Sequence, residues 1–123
     1  MLMNVLAVGA GGCIGAVLRY GLGQISKAIV PGWAFPIGTF LANIIGAFCI
    51  GMCFQFFTKQ ESMGSPMQLF IMVGVLGGFT TFSSFSLETV NLIIGGRFGL
   101  ATVYAVGSVL VCLLGVWLGK TVL

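Results

Sequence analysis

Four apolar segments, each long enough to cross a lipid bilayer, occupy most of this chain. They cover approximately residues 2–25, 35–57, 67–94 and 98–118, and most of the charged residues lie between or beyond them. An apolar stretch of about 20 residues is the length of a transmembrane helix. With 59% hydrophobic and 6% charged residues, the composition lies far outside the range of soluble proteins. We predict an all-α membrane protein, one four-span domain over residues 1–123 with both termini on one side of the membrane.

The third segment is too long for one straight transmembrane helix. A continuous helix from Met67 to Ile94 would be about 42 Å long, whereas the hydrocarbon core of a bilayer is about 30 Å thick. Its middle, residues 77–88, reads GGFTTFSSFSLE, which is poor helix-forming sequence. Non-helical backbone at membrane depth survives only where protein or a polar cavity satisfies it, and broken helices often bind ions. We therefore predict a third helix that is broken near its middle at Gly77, Gly78 and the residues that follow, with chemistry at the break.

Small residues spaced four apart mark helix faces that can pack closely. Four helices alone form a bundle too thin to enclose a wide channel, so we expect some of these faces to pack against a second copy in a homodimer. Each segment carries one such pair: Gly11 and Gly15, Ala42 and Gly46, Gly74 and Gly78, and Gly115 and Gly119.

The basic residues give almost no signal for orientation in the membrane. One side receives Lys59 and Lys120, and the other receives Lys27 and Arg97. Arg19 adds one charge to the second side, and the N-terminal amine on the first side offsets it. Because excess Lys and Arg normally mark the cytoplasmic side, this balance favours dual topology, with antiparallel pairing of oppositely inserted copies. A single orientation, set by a weak bias or by the insertion machinery, is an equally open alternative.

The residues of common catalytic sites are scarce. The chain has no histidine, and its only acidic residues are Glu61 and Glu88. Paired-carboxylate hydrolysis, histidine-assisted nucleophilic catalysis and most zinc sites therefore lack their components. The four cysteines lie within apolar segments and lack CxxC spacing, so we interpret them as small core residues. We predict that the protein is not an enzyme and has no organic cofactor and no nucleic-acid partner.

Polar and aromatic residues near the predicted break suit a path for an anion. Phe82 and Phe85 lie three residues apart on one helix face, where their electropositive ring edges would point at a solute. Thr81 and Ser84 add hydroxyl groups nearby. Asn43, in the middle of the second segment, adds an amide that is costly to leave unsatisfied in lipid.

A second polar stripe follows the fourth segment, where Tyr104, Ser108 and Cys112 recur every four residues. Each polar feature alone has a simpler interpretation as packing or as hydrogen bonding within a helix. Together they favour a weakly polar anion path. Arg19 is interpreted as an electropositive vestibule, an inter-helix bond to carbonyls or an interfacial anchor, and Glu88 as a hydrogen-bonding group at a helix or subunit interface.

Four local patterns resemble the small bacterial CrcB/Fluc fluoride channels along essentially the whole chain. They are GGCIGAVLRY at residues 11–20, GTFLANIIGAF at residues 38–48, GGFTTFSSFSLE at residues 77–88, and the spacing of Tyr104 and Ser108. The third pattern is highly specific. The resemblance implies an antiparallel, dual-topology homodimer with two fluoride pores in the inner membrane, which would export fluoride passively from the cytoplasm and lower its toxicity.

The resemblance also implies roles for individual residues. Phe82 and Phe85 would coordinate fluoride through their ring edges, and Arg19 would lie at a vestibule. A structural sodium ion at the dimer centre would be held by the backbone carbonyls of Gly77 and Thr80 from both subunits. The remaining members of the polar path would be Asn43, Ser84, Tyr104, Ser108 and Thr39.

Two other functions are open at this point. A small multidrug exporter has about this length, four spans and frequent dual topology, but typically needs a membrane-buried glutamate in its first span. Here the only intramembrane acid is Glu88, in the third. A non-conducting assembly subunit would use the polar residues only to bind partner helices, and it would leave the break unexplained.

Overall fold

The computed structural model describes residues 1–123, and the protein is entirely helical. Helix α1 is Leu2–Ile29 and helix α2 is Ile37–Lys59. The third membrane-spanning stretch, Pro66–Ile94, is divided into α3, residues 66–79, and α4, Phe82–Ile94. Helix α5 is Phe98–Val122. Four stretches are long and apolar enough to cross a membrane, which confirms the prediction of a multi-pass, all-α membrane protein.

Short turns join the spans. Gly32 and Gly96 both have a φ of 79°, a left-handed conformation that glycine adopts without strain, in the connections that follow α1 and α4. Helix α3 begins at Pro66, and the Ser65 hydroxyl accepts the N–H of Gln68 at 3.2 Å as an N-cap. Two of the connections and the start of the third span therefore follow ordinary turn and capping chemistry.

The first half of the third span is wound more widely than an α-helix. Leu69–Leu76 forms a π-helix, and Gly77–Phe79 returns to α-helical geometry just before the break. Wide turns of this kind are rare and are frequently found at functional sites. The run LFIMVGVL is apolar and suits either kind of helix, so its residues do not predict this winding.

The break itself lies at two residues, Thr80 and Thr81. Both are extended, with φ and ψ of −91° and 158° for Thr80 and −154° and 124° for Thr81. Gly77 and Gly78 remain helical, so the prediction that the break begins at these glycines is wrong. Gly78 serves packing instead, because a Cβ there would lie 2.7 Å from the carbonyl oxygen of Gly12 on α1.

The small-residue faces pack within the chain. Helix α1 lies along α3, where a Cβ on Gly74 would lie 2.8 Å from the Cα of Gly11. Helix α2 lies along α5, where a Cβ on Gly119 would overlap the backbone of Phe48. Gly46 of α2 meets the side chain of Thr80. The expectation that some of these faces pack against a second copy is therefore wrong, and the surface available to another subunit lies elsewhere.

The buried core is small and centres on Tyr104. Only 17 of 123 residues are buried, so most apolar side chains face outward, as lipid or another apolar surface requires. Tyr104 is 0% exposed and clusters with Leu92 and Ala101. The rings of Phe35 and Phe85 lie with their centroids 5.3 and 5.2 Å from that of Tyr104. This aromatic core joins α4 to α5 just beyond the break.

We predict that Gly15→Ala destabilises the protein by about 1–3 kcal/mol in thermal unfolding in detergent, the usual cost of overpacking. A Cβ on Gly15 would overlap the Val75 carbonyl and lie 2.8 Å from the Phe79 nitrogen. The matched control is Gly9→Ala on the same helix, where a Cβ meets nothing within 4 Å. Equal stability of the two variants would contradict this account of the α1–α3 contact.

Candidate functional site at the helix break

The side-chain amide of Asn43 holds the extended backbone of the break. Its Oδ1 accepts the N–H of Thr81 at 2.8 Å, and its Nδ2 donates to the carbonyl of Thr81 at 3.1 Å. These two bonds replace the helical partners that Thr81 lacks in its extended conformation. Because a backbone group left unsatisfied away from water carries a free-energy penalty, Asn43 makes the break energetically possible.

Thr81 also begins the second half of the helix. Its Oγ1 accepts the N–H of Ser84 at 3.1 Å, which caps α4, and it lies 3.3 Å from the hydroxyl of Ser83. The Thr81 hydroxyl, predicted as part of an anion path, therefore has a structural task as well. Ser84 contributes its backbone N–H to this cap. Its side chain does not line the cavity of about 340 Å³ that lies beside the break.

The break leaves backbone carbonyls without helical partners. Since the N–H of Thr81 bonds to Asn43, the carbonyl of Gly77 loses the donor that an α-helix would supply four residues later. The carbonyl of the extended residue Thr80 accepts no hydrogen bond. Carbonyl oxygens are the ligands that alkali cations receive in membrane proteins, so the donor chemistry at Gly77 and Thr80 fits a sodium ion.

Arg19 reaches the break from α1. Its Nε donates to the carbonyl of Gly78 at 3.1 Å. Helix α1 continues to Ile29, so Arg19 lies well inside the helix rather than at its end. Of its three interpretations, the structure shows the inter-helix bond to a carbonyl.

A cavity of about 340 Å³, which we term the break cavity, lies beside the break between α2, the divided helix and α5. Ser108 is 5% exposed, and its hydroxyl is buried without a hydrogen-bond partner. Buried polar groups nearly always have a hydrogen-bond partner, so this hydroxyl is free to bond to a ligand or water in the cavity. The residues of the polar stripes and the break that line the cavity are Asn43, Thr80, Thr81, Phe82, Phe85, Ser108 and Cys112.

The two phenylalanines stand at different depths of this cavity. Their ring centroids are 5.6 Å apart and their planes are tilted by 46°. Phe85 is half-buried against Tyr104, whereas Phe82 is 77% exposed on the outer surface of the chain. Phe82 thus lies at the rim of the cavity, on the side that the chain itself leaves open.

Glu88 is the centre of a hydrogen-bond network that joins three helices. The hydroxyl of Thr39 on α2 donates to one carboxylate oxygen at 3.0 Å, and the hydroxyl of Tyr104 on α5 donates to the other at 2.9 Å. We term these three residues the Glu88 network. Thr39 and Tyr104 do not line the break cavity but lie beyond Phe85.

From the sequence, Glu88 is interpreted as a hydrogen-bonding group at a helix or subunit interface. In the structure it lies at a helix interface within the chain and bonds to Thr39 and Tyr104. The available signal was its spacing, because Glu88 follows Phe85 by three residues and so shares its helix face. Its partners, on two other helices, carry no such signal.

Comparison with known proteins finds one family over nearly the whole chain. The family model described as CrcB-like protein, Camphor Resistance (CrcB), matches residues 6–120. This range includes the break and all but the outer ends of the four spans.

Curated bacterial relatives are similar over comparable lengths. A fluoride-specific ion channel FluC from Ruminiclostridium cellulolyticum is 46% identical over 97% of this chain and 91% of its own length. A fluoride-specific ion channel FluC 2 from Nitrobacter hamburgensis is 44% identical over 95% of this chain and 94% of its own. A fluoride-specific ion channel FluC from Magnetococcus marinus is 43% identical over 98% and 97%, respectively.

We predict that Asn43→Leu exposes the amide of Thr81 to faster hydrogen exchange and destabilises the protein by about 1–3 kcal/mol for each backbone group left unsatisfied. Exchange is measured by mass spectrometry on peptides that cover residues 77–85, with unfolding followed in parallel. The control is Asn91→Leu, the same substitution at an exposed position on α4. Unchanged exchange at Thr81 in Asn43→Leu would show that the amide of Asn43 does not hold the break.

Proposed function

We propose a function from one premise: this chain belongs to the CrcB-like family. The proposal is that residues 1–123 form one fluoride channel domain that lets fluoride leave the cytoplasm passively. The single observation that carries it is the break cavity, where the rings of Phe82 and Phe85 and the unpartnered hydroxyl of Ser108 line a space beside a broken transmembrane helix. The multidrug-exporter and assembly-subunit alternatives receive no support from the family match.

The chemistry of the break cavity suits a small, hard anion. Asn43 uses one amide N–H on Thr81 and retains a second N–H, and the Ser108 hydroxyl has no acceptor within the protein. The edges of the Phe82 and Phe85 rings are electropositive. These donors replace part of the hydration shell of fluoride, and a narrow, donor-lined space favours a small anion over chloride.

The Glu88 network extends this path beyond Phe85. Tyr104 lies with its ring centroid 5.2 Å from that of Phe85, and its hydroxyl donates to Glu88, as does that of Thr39. A fluoride ion that passes Phe85 meets these hydroxyls next. It competes with the Glu88 carboxylate as the acceptor of their hydrogen bonds. Ser84, one residue before Phe85, completes the set of hydroxyls that we assign to the neighbourhood of the path.

The driving force for export is electrical and chemical. Hydrogen fluoride crosses a membrane as a neutral acid and ionises in the more alkaline cytoplasm, where the anion accumulates. A membrane potential that is negative inside then drives fluoride outward, at about 2.3 kcal/mol per charge for each 100 mV. Passive conduction therefore suffices to lower fluoride toxicity, and no coupled ion is required.

We propose that two copies pair antiparallel to complete two pores. The break cavity is open on the side of Phe82, which is 77% exposed, so a second apolar surface is needed to enclose an ion. The near-equal basic charge on the two sides allows both insertion orientations.

Sodium is proposed as a structural ion at the centre of that dimer. The carbonyls of Gly77 and Thr80 have the oxygen chemistry that it needs, and a bound cation would neutralise the partial negative charge of carbonyls freed by the break. Arg19 donates to the neighbouring carbonyl of Gly78, and its role as a vestibule residue is part of the same proposal. Loss of efflux when sodium is replaced by a bulky organic cation supports the site, and unchanged efflux refutes it.

We predict that liposomes containing only the purified protein release fluoride rapidly and chloride slowly, as followed with ion-selective electrodes. Phe82→Ile is expected to lower fluoride efflux at least about tenfold, because it removes the electropositive ring edge at the rim of the cavity. Phe98→Ile is the matched control, since Phe98 is 64% exposed at the start of α5 and does not line the break cavity.

Two results would contradict this prediction. Absence of fluoride efflux from correctly folded wild-type protein would refute the channel function. Equal efflux from the two phenylalanine variants would remove Phe82 from the path while leaving the channel function intact.

We predict that a reporter at the C-terminus is detected in both compartments, as dual topology requires. The measurement compares a reporter active only in the cytoplasm with one active only outside it. Detection in a single compartment would refute the antiparallel arrangement.

A further inference from the structure

A second cavity opens near the short connections at the opposite end of the Glu88 network from Phe85. Its volume is about 360 Å³, and it shares no lining residue with the break cavity. We term it the outer cavity. It is lined by Ala34, Pro36, Glu88, Asn91, Leu92, Gly95 and Arg97.

The outer cavity is joined to the break cavity through the Glu88 network. Glu88 lines the outer cavity, and its carboxylate accepts the hydroxyl of Tyr104 at 2.9 Å. Tyr104 in turn packs with its ring centroid 5.2 Å from that of Phe85, which lines the break cavity. Polar groups therefore continue from the middle of the protein to the connection between α4 and α5.

The backbone of Arg97 is fixed beside the outer cavity, which this residue lines. Its backbone N–H donates to the carbonyl of Leu92 at 2.8 Å, and its carbonyl accepts the N–H of Ala101 at 2.9 Å. Arg97 thereby joins the end of α4 to the start of α5, and its side chain is exposed. The groups that line the outer cavity thus include an exposed, permanently charged guanidinium and the part-buried carboxylate of Glu88.

We propose that the outer cavity is an aqueous mouth of the fluoride path and that Arg97 draws fluoride into it. This inference rests on the proposed channel function and assigns it an entrance. An exposed positive charge raises the local concentration of anions, and the attraction decays over about 10 Å at an ionic strength of about 0.1 M. The positive charge of Arg97 also offsets the negative charge of Glu88, whose two oxygens already accept hydrogen bonds from hydroxyl groups. Fluoride is therefore less strongly repelled by the Glu88 carboxylate.

The test measures fluoride efflux from liposomes at low and high ionic strength, the latter set with an impermeant salt. Arg97→Gln is expected to lower efflux about threefold to tenfold at about 10 mM ionic strength and less than about twofold at about 500 mM, because salt screens the attraction. Arg97→Lys keeps the charge and is expected to conduct like the wild type.

Two further variants separate this mouth from a general surface effect. Lys27→Gln removes one charge on the same side of the membrane from a residue that lines neither cavity, and it is expected to leave efflux unchanged. Ala34→Trp fills the outer cavity from a non-helical connection and is expected to lower efflux at both ionic strengths. Size-exclusion chromatography confirms that each variant is folded.

The outcomes distinguish the mouth from the channel itself. A salt-dependent loss in Arg97→Gln that Lys27→Gln lacks, together with a loss in Ala34→Trp, supports the inference. Equal efflux from Arg97→Gln and Lys27→Gln at low ionic strength, or wild-type efflux from Ala34→Trp, overturns it while wild-type conduction upholds the proposed function. Wild-type protein that does not conduct fluoride overturns both.

Discussion

The pair of hydrogen bonds between Asn43 and Thr81 is the interaction on which the rest of the site depends. Two extended residues in the middle of a membrane span leave backbone groups that water cannot reach, and one amide side chain satisfies both groups of Thr81. The other features of the site depend on these two hydrogen bonds. The cap on α4, the free carbonyl of Thr80 and the placement of Phe82 at the rim of a cavity all require the break.

Close packing of glycines lets such a small protein support the break. Helix α1 approaches α3 so closely that Gly74 and Gly78 have no room for side chains, and Arg19 of α1 can reach the carbonyl of Gly78. The first half of the third span is thereby held against α1 and the second half against α5 through Tyr104. With so little buried core, the chain leaves a large apolar surface, including Phe82, for lipid or a second copy.

The spans and the existence of the break could be predicted because each follows from a length compared with the thickness of a bilayer. The exact site of the break could not, since Gly77 and Gly78 are weak helix formers and yet stay helical when packed against α1. Asn43 was identified from its cost in lipid, but its partner Thr81 lies 38 residues away in sequence. The same applies to Glu88, whose bonds to Thr39 and Tyr104 depend on how three helices pack.

The most direct test of the channel account is the reversal potential of the current that the purified protein carries in a planar bilayer, with unequal fluoride and equal chloride on the two sides. Passive fluoride conduction requires a current that reverses at the equilibrium potential of fluoride and does not shift when a pH gradient is imposed. A reversal potential that follows the pH gradient would indicate proton-coupled transport, and a bilayer without fluoride current would indicate no channel. Either result would contradict passive fluoride conduction through the break.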